Sequence, residues 1–124
     1  MLNRIAALAF LGFLSSASAH ELAKGPNGGP LVDVAGHHIE MVAKGTELIL
    51  ILTDAAEKPL PSAGTKAARA IVQDAGKTAT VALSAVAPNK LVGTLARPLG
   101  AGARIVVSAT LADGHAVQAR FTND

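Results

Sequence analysis

The sequence predicts an all-β domain, a small β-sandwich of about 7–8 short, mostly antiparallel strands. Three observations carry that expectation. Short apolar runs recur along the chain, each bounded by Gly, Pro, Asn or Asp. No stretch sustains the roughly 3.6-residue period of an amphipathic helix. Alanine is abundant but is interleaved with Val, Ile and Thr, which favours strands.

Taken in order, residues 1–19 read as a signal peptide. Arg4 supplies a positive start, Ile5 to Leu14 an apolar run, and Ala17-Ser18-Ala19 a cleavage site. A bilayer-spanning helix needs about 20 apolar residues, so this signal helix is expected to be removed and to leave no membrane anchor. Residues 20–30 hold Pro26, Pro30, Gly25, Gly28 and Gly29, and read as an extended or mobile lead-in. Residues 31–124 are the expected sandwich domain, exported once the signal is removed.

Within that domain, a strand before Gly36 and a second from His37 form the first expected hairpin. Thr46 to Thr53 reads as a central strand buried on both faces. Asp54 to Thr65 carries Pro59, Pro61 and Gly64 and reads as a loop. A hairpin is expected around Asp74-Ala75-Gly76-Lys77, and a strand after Pro88-Asn89. Arg104 to Leu111 and His115 to Phe121 flank Asp113-Gly114, a strong two-residue hairpin signal.

Composition narrows the function classes. The chain has 11 Lys and Arg against 9 Asp and Glu, so its charge is nearly balanced. Phe121 is the one aromatic beyond the signal segment. Base stacking is therefore almost unavailable, and nucleic acid is not an expected partner. With no cysteine, thiolate metal sites and thiol catalysis are excluded. The serines beyond the signal, Ser62, Ser84 and Ser108, stand in no nucleophile-elbow context, and the chain does not read as an enzyme.

The groups able to do chemistry concentrate near Gly25 to Val42. Side chains alternate along a strand, so His37, Ile39 and Met41 share one face and His38 and Glu40 the other. An imidazole and a carboxylate two residues apart can converge on one ion, which suits zinc or copper(II) better than calcium. The expected metal ligands are His38 and Glu40, with His20 and His37 completing the set. After cleavage at Ala19, His20 would offer its α-amine and Nδ1 together as a chelate, an arrangement copper(II) accepts. His115 follows the Asp113-Gly114 turn and joins only if that hairpin tip lies beside His38.

Gly25-Pro26-Asn27-Gly28-Gly29 followed by His38-x-Glu40-x-Val42 resembles a segment of some small exported bacterial proteins. It is similar also to the N-terminal region of periplasmic adaptor subunits of heavy-metal efflux pumps. Thr53-Asp54, Lys58-Pro59-Leu60, Lys90-Leu91-x-Gly93 and Ile105-Val106-Val107-Ser108 extend the likeness. The resemblance implies a periplasmic β-domain in metal efflux or tolerance. Such a protein would buffer copper(II), zinc, nickel or cobalt, or hand it to an efflux-pump adaptor. The alternative is a β-sandwich interaction module that docks on an envelope or efflux protein and binds no metal.

Overall fold

Alternation between faces organises the chain. The computed structural model describes residues 20–124, with side chains described from Lys24 onward; the expected signal peptide lies outside the described residues. Ten strands follow one another: β1 His20–Lys24, β2 Pro30–Val34, β3 His37–Lys44, β4 Glu47–Asp54, β5 Lys66–Asp74, β6 Lys77–Ala82, β7 Ser84–Val86, β8 Lys90–Thr94, β9 Arg104–Thr110 and β10 Ala116–Thr122. No helix occurs among the described residues. The larger sheet has the order β1-β2-β3-β4-β8-β7 and the smaller β10-β9-β5-β6. All pairings are antiparallel. The chain is the small β-sandwich that its pattern predicts, with more strands than expected.

The core lies between the sheets. Leu48, Leu50 and Leu52 of β4 point inward and are at most 1% exposed. They face Ile105 and Val107 of β9 and Ala119 and Phe121 of β10, all within one apolar cluster. Ile49 and Ile51 point outward and are only half-buried, which corrects the expectation of a strand covered on both faces. A two-layer sandwich has one inner face per sheet, so the outward side chains of even its central strand meet solvent unless a loop covers them.

Two of the added strands are sheet edges. Residues 20–24, expected as a lead-in, form β1 against β2. Residues 84–86 form β7 against β8, with every residue exposed. Neither carries the apolar alternation that marks a strand in sequence.

Two hairpins turn on an Ala-Gly pair. Ala35 and Gly36 have φ of 52° and 83°, and Ala75 and Gly76 have φ of 52° and 78°. Two consecutive positive φ values match the right-handed twist of the flanking strands. The second position is glycine and bears this freely, but alanine in a left-handed conformation costs about 1 kcal/mol. Asparagine tolerates it better. Ala75→Asn, at an exposed turn, should therefore raise stability by about 0.5–1 kcal/mol, read as a higher urea midpoint at unchanged slope. An unchanged or lower midpoint would show that the turn is unstrained.

Candidate metal centre

The β2–β3 turn places His37 as the first residue of β3, on the inner face at one end of the sandwich. Its ring is largely covered. Nδ1–H donates to the Val34 carbonyl oxygen at 3.1 Å. That acceptor has no proton to give, so it fixes which nitrogen carries hydrogen and leaves Nε2 aimed outward.

What Nε2 meets comes from the other sheet. The β9–β10 hairpin ends in Asp113-Gly114-His115, and β10 packs over β2. Asp113 Oδ2 lies 2.8 Å from His37 Nε2. Asp113 Oδ1 accepts the His115 backbone N–H at 2.9 Å and lies 3.1 Å from His115 Nδ1. The two imidazole rings are tilted, with centroids 5.2 Å apart. One ligand atom from each of His37, Asp113 and His115 lies within 4.8 Å of the others.

The electrostatics follow from these contacts. Burial of His37 disfavours its charge. The hydrogen bonds to Asp113 and to the Val34 carbonyl, with the negative charges of Asp113 and Asp33, outweigh that burial, and the pKa is raised above the ordinary 6.5. The hydrogen bond from His37 and the two from His115 hold the Asp113 carboxyl below the usual carboxylate range. Without a metal, the His37–Asp113 hydrogen bond joins the two sheets.

A metal ion can take the place of the proton on His37 Nε2. The Val34 carbonyl then acts as the outer partner that a ligating imidazole ordinarily has, holding the ring in orientation. Two imidazoles and a carboxylate are three ligands, which leaves a fourth position for water or a transferring group. The same donor set fits zinc and copper(II).

The other expected ligands are placed elsewhere. His38 and Glu40 do share the outer face of β3, opposite His37. Yet Glu40 is only 2% exposed, because the turn at residues 25–29 folds over it. Its Oε2 accepts the backbone N–H groups of Asn27 and Gly29, each at 2.9 Å, and Oε1 accepts Asn27 Nδ2 at 3.1 Å. Both oxygens are engaged there. Gly25 and Gly29 permit that approach, since a Cβ at Gly25 would collide with the Glu40 carboxyl and one at Gly29 with the Met41 carbonyl. The carboxylate that sequence spacing offered to a metal instead clasps the glycine-rich turn.

His38 lies beside Asp33, with Nε2 and Oδ2 3.6 Å apart. His20 stands opposite Asp33 in the β1–β2 register. Asp113 was not foreseen as a ligand; its signal was the Asp-Gly-His order, which reads first as a turn. His115 does meet a β3 histidine, but it is His37 and not His38.

Searches against family models, curated proteins and solved structures found no match to this chain.

Proposed function

We propose that this protein is an exported, periplasmic metal-binding accessory protein that buffers zinc or copper(II), or hands it to a metal-efflux partner such as a periplasmic adaptor. The observation that supports this reading is the His37–Asp113–His115 cluster, formed where the two sheets meet. Three ligands and an exposed His115 suit an ion that enters and leaves more than one locked in a structural site. The resemblance of the glycine-rich turn and His38-x-Glu40 to efflux adaptor segments supports the setting. The protein performs no turnover in this reading.

Isothermal titration with zinc and with copper(II) near pH 7.5 tests it. The wild-type chain should bind at micromolar affinity or tighter. His115→Ala, at an exposed position, should weaken binding at this centre at least about tenfold, a loss of about 1.4 kcal/mol, with the fold intact by circular dichroism. No binding tighter than micromolar, in a folded wild-type chain, would leave the interaction-module reading.

A further inference from the structure

We propose a binding site for a free medium-chain carboxylate, one alkyl chain ending in an anion, in the cleft between the sheets beside β6. It uses no residue of the His37–Asp113–His115 centre and does not depend on metal.

The cleft follows from how the two sheets meet on that side. Val72 of β5 and Val81 of β6 are buried on the inner face of the smaller sheet. The larger sheet comes close to β6 at Gly93 of β8. A Cβ there would lie 2.7 Å from Val81 Cγ1 and 2.8 Å from the Ala82 carbonyl oxygen. Strand β8 ends at Thr94, and residues 95–99 run on without strand pairing. Lys77, Ala79 and Val81 share one face of β6. Val81 is covered, yet Lys77 and Ala79 are exposed, so the sandwich stays open along this edge.

The opening is a cavity of about 260 Å³, walled by Val72, Ala79, Val81, Leu95 and Leu99. An enclosed apolar cavity of about 150 Å³ is enough to hold benzene. This one is larger and open at one side, so an alkyl chain of roughly eight to ten carbons fits it. The wall carries almost no polar group, and each CH₂ taken from water favours binding.

Charge at the mouth selects the other end of the ligand. Lys77 and Arg97 also line the cleft, and both are exposed. Neither forms an ion pair among the described residues. Asp74 is the carboxylate of the lining, and it stands opposite Lys77 in the hairpin. Its Oδ2 accepts the Gly100 N–H at 2.9 Å, which ties it to the loop after β8. Two cations against one engaged carboxylate leave positive charge beside an apolar cavity. An anionic head meets that charge at the wet end while its chain is buried. The Arg97 guanidinium suits a carboxylate because it can offer two parallel N–H donors. A cationic head would face the same two side chains and be repelled.

Isothermal titration of the full chain with sodium decanoate at pH 7.5, below its micelle concentration and with a chelator present, tests the site. We expect one decanoate per chain with a Kd of about 0.1 mM or tighter. Decylammonium should bind at least about tenfold more weakly. Ala79→Phe fills the cleft from an exposed strand position and should abolish binding, with an unchanged circular dichroism spectrum. Lys77→Gln combined with Arg97→Gln keeps the cleft and should weaken decanoate at least about tenfold. His115→Ala should change nothing. No decanoate binding by the folded wild-type chain would overturn the site. Binding that survives Ala79→Phe would place the ligand elsewhere and overturn it as well. Equal affinity for decanoate and decylammonium, or for the wild type and the Lys77–Arg97 double variant, would overturn the choice of an anion.

Discussion

Glu40→Ala should destabilise the fold by about 3 kcal/mol while leaving zinc affinity at His37, Asp113 and His115 within about threefold. The stability loss follows from three hydrogen bonds that end on one side chain. Hydrogen bonds to a charged group are worth about 1.5–3 kcal/mol each, and neighbouring ones do not add fully. Removal also strands the buried Gly29 N–H, which then lacks both protein and water. For a domain of this size the loss should lower the thermal midpoint by roughly 15 °C. Glu40→Gln keeps two oxygen-type contacts at best and sets an NH₂ group against a donor, so its loss should be smaller but clear. The metal comparison is made well below the lowered midpoint. A stability cost under about 1 kcal/mol would mean the clasp is not structural. Loss of zinc binding in a folded Glu40→Ala chain would return Glu40 to the ligand set.

That contrast shows how far the sequence can be read. Period-two alternation gave β3 and β4 their faces, and Asp113-Gly114 and Ala75-Gly76 gave their hairpins. These signals are local, because neighbours along a strand determine them. The same alternation put Glu40 on the outer face, where burial is not expected. Its burial comes from a turn 11–13 residues upstream that folds back over it. Glycines in Gly25-Pro26-Asn27-Gly28-Gly29 hint at a close approach, but not at what approaches. The meeting of His37 with Asp113 is harder still, since 76 residues separate them. It depends on how two sheets stack, and one sequence does not state which hairpin tip lands on which strand end. His38 was singled out because of the carboxylate two positions along its own strand. The carboxylate it meets is Asp33, across the hairpin, where the Ala35-Gly36 turn sets the register.

The centre between the sheets also predicts opposite pH dependences with and without metal. His37 has a folded pKa raised above its unfolded value. Its contribution to stability is then complete below about pH 6.5, the unfolded value, and is lost as pH rises through the folded pKa. Asp113 has a folded pKa lowered below its unfolded value. Its contribution is present above about pH 4 and is lost only as pH falls through the lower folded value. The ion pair therefore acts fully between about pH 4 and 6.5, and the metal-free thermal midpoint should decline by a few degrees from pH 6 to pH 9. His37→Gln should flatten that decline. Zinc must displace the proton from Nε2, so its affinity moves the other way. Below the His37 pKa, affinity at this centre should fall by at least about tenfold per pH unit. The stabilisation gained from saturating zinc should accordingly grow as pH rises, over the same range in which the metal-free protein weakens. Removing the negative charge of Asp33, as in Asp33→Asn, should move the midpoint of the effect slightly downward in pH. A metal-free midpoint that stays flat from pH 6 to 9 would mean His37 is not held protonated by Asp113. Zinc affinity that ignores pH would mean that the ion does not sit on His37.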